Sequence, residues 1–292
     1  MCQYTGDIAA REHDGAVPLS SLAPVRAGER VLMHTVELAR TIWGQRLVAA
    51  YAIGSLAHGG FSVHVSDVDL GLILSDPLED GDAEAVDQLS NAVKAGGAPL
   101  AQHLSVFWGS AGTLSGATTG GRFPPLDLLD LKQFGRLLAG RDVRPQLQSP
   151  TLRELVVSGA QFALKHLSTP AVTAHLRNPV EFANANTKTL TKLVLYPLRF
   201  LFTARTGQPG MNDEAVSYFS TVEDGPMLEL ARKGLEWRFE PPVPGDPAVV
   251  ELLRNGVLPL YRMFLADYER RLREYGEPKL AQLFREWRER LD

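Results

Sequence analysis

Over residues 30–43 the apolar positions Val31, Leu32, Val36, Leu38, Ala39, Ile42 and Trp43 recur at helical intervals, and Gly44 ends the run. Two short apolar stretches follow, 47–53 closed by Gly54-Ser55 and 68–74 closed by Asp76-Pro77, and both predict buried strands. A helix is predicted over 82–94, stopped by Gly96-Gly97, then a third strand over 104–108 before a Gly/Ser/Thr-rich loop at 109–121. Beyond Pro125 the strand signals cease. Helical spacing recurs at 126–138, 151–167, 184–205, 225–237, 248–274 and 278–291, with a proline-rich connector at 239–247. The pattern predicts an α/β first half followed by an all-α second half: an arm at 1–24 without periodicity, a domain at 25–148 and a helical bundle at 149–292.

A chain of 292 residues exceeds the usual size of one core, which agrees with two domains. Hydrophobic content of 45% against 22% charged residues excludes a disordered chain. The formal net charge of -4 gives no global attraction for a phosphate backbone, so no nucleic-acid partner is expected. One cysteine, Cys2, excludes an intrachain disulfide and a cysteine-based zinc cluster and fits a reducing cytoplasm. The first residues lack a basic stretch followed by an apolar run, and the most apolar segment, 190–203, is broken by Lys192 and Arg199, so neither secretion nor membrane insertion is expected. Trp43, Trp108, Trp237 and Trp287 are expected to pack inside, and 268–275 reads as a solvated helix face with internal ion pairs.

The chemistry concentrates at the second strand. Side chains alternate across a strand, so Asp67 and Asp69 project together from one face while Val68, Leu70 and Leu72 fill the other. Two carboxylates in apolar surroundings are costly unless a cation neutralises them, and magnesium with oxygen ligands suits them. Upstream, Gly54-Ser55 closes a strand. Glycine lets the main chain approach closely, backbone N–H groups and the Ser55 hydroxyl can hold phosphate, and Gly59-Gly60 lets the loop fold back.

The run Ala52-Ile53-Gly54-Ser55-Leu56-Ala57-His58-Gly59-Gly60-Phe61, continued by Ser66-Asp67-Val68-Asp69-Leu70, resembles the signature of the polymerase-beta-like nucleotidyltransferase superfamily. The resemblance implies a mixed sheet with helices, nucleotide phosphates on Gly54 and Ser55 with Ser66 beside them, and metal-binding catalytic acids at Asp67 and Asp69. Further on, Leu198-Arg199-Phe200-Leu201-Phe202-Thr203-Ala204-Arg205-Thr206-Gly207 resembles the C-terminal helical domain of streptomycin/spectinomycin-type aminoglycoside adenylyltransferases, in which such an arginine faces the nucleotide. The two matches imply a magnesium-dependent transfer of a nucleoside monophosphate, AMP from ATP, to a hydroxyl of a small aminoglycoside-like acceptor. A protein or tRNA acceptor, or a nucleotide-binding module without turnover, are the alternatives.

The sequence departs from the pattern twice. A third carboxylate, which would take the acceptor's proton, is missing from 103–108; Asp127, Asp130, His103 or no protein base at all remain open. At the start of a helix, Asp127 and Asp130 read most simply as acids interacting with its dipole. Asn212 also stands where the aminoglycoside enzymes tend to carry a lysine.

Lys188, Lys192 and Arg199 lie four and then seven residues apart in a Leu- and Val-rich helix. At 3.6 residues per turn they fall within about 40° of one another, a narrow cationic line suited to phosphate charge that magnesium leaves unneutralised.

Overall fold

The computed structural model describes residues 19–291, so most of the arm expected at 1–24 lies outside the described residues. The chain runs α1 (Leu19–Trp43), β1 (Leu47–Ile53), α2 (Ser55–His58), β2 (Val68–Leu74), α3 (Asp82–Ala95), β3 (Leu104–Ser110), α4 (Ala111–Leu114), α5 (Pro125–Phe134) and β4 (Arg136–Gly140). Helices only follow: α6 (Leu152–His166), α7 (Pro170–Arg177), α8 (Pro179–Ala183), α9 (Thr187–Thr206), α10 (Asn212–Phe219), α11 (Gly225–Glu236), α12 (Pro247–Glu274) and α13 (Pro278–Leu291). The fold is therefore mixed α/β followed by a helical bundle.

The four strands form one sheet in the order β3-β2-β1-β4. β1 is antiparallel to both β2 and β4, while β2 and β3 are parallel, as their crossover through α3 permits. One face carries Val68, Leu70, Leu72 and Leu74 of β2 against α1 and α3; the other carries Tyr51, Ile53, Ile73 and Phe107 against Leu128 and Leu131 of α5. Burial on both faces explains why the central strands read as continuous apolar runs.

β4 was not expected, and the helix predicted at 126–138 stops at Phe134. Gly135 has extended backbone (φ -51°, ψ 124°), and beyond it Leu137 and Leu138 continue the apolar count into an edge strand with mostly exposed residues. A five-residue edge strand lacks the alternation that identifies a half-buried one. At the other end, α1 begins at Leu19, eleven residues before the periodic segment.

The helical half packs around α9 and α12, with Phe264, Tyr268, Phe284 and Trp287 at its centre. As expected, all four tryptophans are buried, Trp237 and Trp287 there and Trp43 and Trp108 in the sheet domain. The segment 268–275 departs from the solvated face expected of it: Tyr268 is fully buried, and Glu269 accepts from Arg273 on its own helix and from Arg285 and Arg288 of α13. Among the described residues no helix is long and apolar enough to cross a membrane.

Candidate active site

The strand β1 ends at Gly54, whose φ of 63° and ψ of -153° belong to glycine almost alone. Space demands glycine as well. A Cβ built there would stand 2.7 Å from Asp69 Oδ2, so the carboxylate rests directly on the main chain of the turn. Ser55 then opens α2, and Gly59 and Gly60, at φ 93° and 77°, turn the chain back toward β2. The loop is closed by Ser66, which accepts from the Ser62 amide through its hydroxyl at 3.0 Å.

Asp67 immediately precedes β2 and Asp69 is its second residue, so the two carboxylates share a face as alternation requires. Their environments differ sharply. Lys188 Nζ donates to Asp67 Oδ1 at 2.6 Å and Lys192 Nζ to Oδ2 at 2.7 Å. Burial opposes ionisation of Asp67, but the two ammonium groups outweigh it and hold the carboxyl below the usual range. Asp69 has no hydrogen-bond or ion-pair partner among the described residues. Its burial, with Asp67, Asp127 and Asp130 nearby, pushes it up to about 8.

Asp127 and Asp130 reach this point from α5. They are three residues apart on a helix whose Leu128, Leu129 and Leu131 are buried, so the acids share its remaining face. Asp130 Oδ2 accepts the Gly54 N–H at 2.6 Å, and its Oδ1 lies 3.7 Å from His58 Nε2. Burial raises Asp130, and burial together with Asp130 raises Asp127 to about 7. The dipole reading of these two acids therefore misses their placement. Their i, i+3 spacing on a leucine-rich helix was the available signal, but which surface that face meets is a tertiary fact. The Gly54 N–H, expected on phosphate, is donated to Asp130.

The acid-free strand β3 has a geometric counterpart. Ser105 is paired with Asp69 in the parallel β2–β3 register and so projects to the same face, the position from which an acid would converge with Asp69. His103 lies at the start of that strand, with Nδ1 3.4 Å from Lys188 Nζ; burial and that lysine lower its proton affinity.

From the opposite side, α9 presents the cationic line. Lys188 and Lys192 close on Asp67, whereas Arg199 lies further along the helix, its Nε donating to the Gly210 carbonyl at 2.5 Å and its guanidinium 5.6 Å from the centre of the Tyr196 ring. It is close enough for its charge to act on Asp127, Asp130 and His58. The following Thr206-Gly207 has a local explanation: Gly207 (φ 72°) caps α9 in the left-handed conformation and donates to the Thr203 carbonyl. Asn212 begins α10.

A residue outside the sequence expectations completes the wall. Arg238, between Trp237 and Phe239, is 5% exposed. Its Nη2 donates to the Gly60 carbonyl at 2.5 Å, while its own carbonyl accepts the Ser62 hydroxyl. The helical half thus grips the glycine loop between β1 and β2.

The arrangement brings the carboxylates Asp67, Asp69, Asp127 and Asp130 of the α/β half together with Lys188, Lys192 and Arg199 of the helical half, and Arg238 holds the adjoining glycine loop. No group of three or more His, Cys, Asp or Glu side chains that could by itself enclose a metal occurs among the described residues. The pair Asp67 and Asp69 could hold a cation whose remaining ligands come from a phosphate or water.

No family model matches the chain, and no curated protein matches it. Among solved structures it is similar to spectinomycin adenyltransferase AAD(9) from Enterococcus faecialis, in a crystal structure with ATP and spectinomycin. That match has a TM-score of 0.51 at 12% sequence identity and covers 80% of this chain and 98% of the other. The likeness shows that the chain shares the fold of that protein.

Proposed function

We propose that the protein transfers a nucleoside monophosphate from a magnesium-bound NTP, with ATP the expected donor, to a hydroxyl of a small acceptor. The observation that carries this reading is Asp69: a half-buried carboxylate with no hydrogen-bond or ion-pair partner for its oxygens among the described residues, beside Asp67 and pressed against the Gly54 turn, on the fold of an adenylyltransferase. A lone buried carboxylate among like charges is stable only when protonated or matched by a cation, and hard oxygen donors fit magnesium. Bound there, the ion would supply charge neutralisation for the phosphates.

The residues of this chain divide the remaining work. The Ser55 hydroxyl and the adjoining loop hold the phosphate tail. Lys192 and Lys188 exchange Asp67 for phosphate oxygens as nucleotide enters, and Arg199 adds positive charge from the far wall. The acceptor oxygen attacks the α-phosphorus, its bond to the bridging oxygen breaks, and pyrophosphate leaves. The hydroxyl proton passes to Asp127, which is held near neutral affinity by burial and Asp130 and so suits a general base. Asp130 positions the turn through Gly54.

Pyrophosphate release from Mg-ATP and the other NTPs, measured over a panel of hydroxylated acceptors that includes spectinomycin, tests the reading. Asp67→Asn with Asp69→Asn should lower the rate by at least about 10³-fold, and Asp127→Asn alone by about 10²-fold with a changed pH profile. Undiminished release in the double variant would remove both acids from the reaction.

A further inference from the structure

β3 ends the sheet, so one of its two edges has no strand beside it. Among the described residues that edge meets only Arg122, which exchanges both main-chain bonds with Trp108 and donates from Nη1 to the Val106 carbonyl at 2.9 Å. Backbone groups alternate along a strand, so the Leu104 C=O and the Val106 N–H point the same way as those of Trp108, away from β2. Neither has a partner among the described residues. Leu104 is 3% exposed and Val106 4%, and a main-chain donor or acceptor left open at so buried a residue costs free energy comparable to a lost hydrogen bond.

The open stretch adjoins a cavity of about 290 Å3 between α3 and the strand. Its apolar lining is Val86, Leu104 and Val106; its charged lining is Lys94 and Arg122 against the single acid Asp87. Neither cation has a carboxylate within ion-pair distance among the described residues. The Arg122 guanidinium lies 5.0 Å from the centre of the Phe107 ring, on the face that Phe107 shares with Ser105.

An edge strand flanked by a helix, with a groove between them, is a geometry into which an extended segment adds as a further strand. The incoming residue opposite Ser105, with its neighbours, can take both free main-chain groups, and its side chain falls on the face of the Arg122 guanidinium. The residues on either side of it turn to the other face, toward Val86 and Lys94. A second copy of β3 would set the same two cations against this edge, which like charge opposes, whereas an acidic segment matches them.

We propose that the β3 edge binds an extended acidic segment of a partner protein, which joins the sheet beside residues 104–106 with an acidic side chain opposite Ser105. Such docking is independent of the nucleotide chemistry, since no residue proposed for the reaction lines the groove.

Fluorescence anisotropy with the full chain tests this, using a short labelled peptide of alternating valine and aspartate, its lysine-for-aspartate counterpart and a form N-methylated at every amide. The acidic peptide should bind, and N-methylation or Arg122→Gln should each weaken it at least about 10-fold, Lys94→Gln about 3-fold. The basic peptide should bind at least about 10-fold more weakly than the acidic one. Hydrogen exchange at the Val106 amide should slow when the acidic peptide is bound. If Arg122→Gln does not fold, Lys94→Glu decides, with a loss of about 10-fold expected for the acidic peptide. Equal binding of the N-methylated or the basic peptide, or no binding of any of them, overturns the docking. Protection of Val106 that grows with protein concentration in the absence of peptide also overturns it and assigns the edge to a second copy.

Discussion

At the scale of single residues, the site rests on one contact: Asp69 Oδ2 occupies the volume a side chain at position 54 would need. Glycine there serves two demands at once. It supplies a backbone conformation that costs other residues about 1–3 kcal/mol, and it lets a carboxylate reach the main chain. Gly54→Ala must relieve both by moving the turn or the acid, because the atom it meets belongs to a short side chain fixed on a strand. The expected outcome is a fall in stability of about 2–4 kcal/mol together with loss of Mg-ATP binding, read by thermal unfolding with and without nucleotide. A variant that binds normally would show that Asp69 need not lie against the turn. A neighbouring pair of residues makes the complementary point: Asp130 holds the Gly54 amide while Asp127, one helical turn back, has only the more distant charges of Arg199 and Arg122 to oppose its burial.

At the scale of elements, α5 is the piece that joins the two halves. Leu128 and Leu131 enter the sheet core, Leu126 packs against the helical core, and the acidic face between them meets the cleft. The same logic holds α12 to α13, where Glu269, almost fully buried, gathers Arg273, Arg285 and Arg288. Because these arginines are a third to half exposed, they can be resolvated once the carboxylate is gone, so Glu269→Gln should cost about 2 kcal/mol rather than the larger penalty of a stranded buried charge. Thermal unfolding should show a fall on the order of 5 °C that shrinks at high salt; no change would mean the hub is held by packing alone. Elements that declare themselves locally were legible in the sequence: β1 and β2 by apolar runs, α9 and α12 by periodicity, and the Gly54, Asp67 and Asp69 constellation by alternation and turn chemistry. What escaped depends on neighbours distant in sequence. β4 continues the leucine count of a helix and is a strand because β1 offers it an edge. Asp127, Asp130 and Arg238 enter the site through packing that no local pattern encodes.

At the scale of the whole molecule, the cleft sets the acids of the α/β half against the cations of the helical half, and the balance depends on protonation. Burial pushes Asp69 up to about 8 and Asp127 up to about 7 in the folded chain, whereas both would ionise near 4 when unfolded. Between these limits the folded state binds more protons than the unfolded state. The stability these groups contribute is therefore complete below about pH 4 and is lost as pH rises through 7 to 8. The ligand-free protein should show a Tm that declines from pH 5 to 8.5, and Asp69→Asn should flatten the decline and raise the Tm at pH 8. Mg-ATP should act in the opposite sense, since it needs the ionised carboxylate: its affinity should increase over the same range, and the stabilisation it gives should be largest where the free protein is weakest. A ligand-free Tm that climbs with pH would mean that the Asp69 charge is already matched in the empty cleft, with Lys192 turned from Asp67 toward Asp69 as the nearest means of matching it.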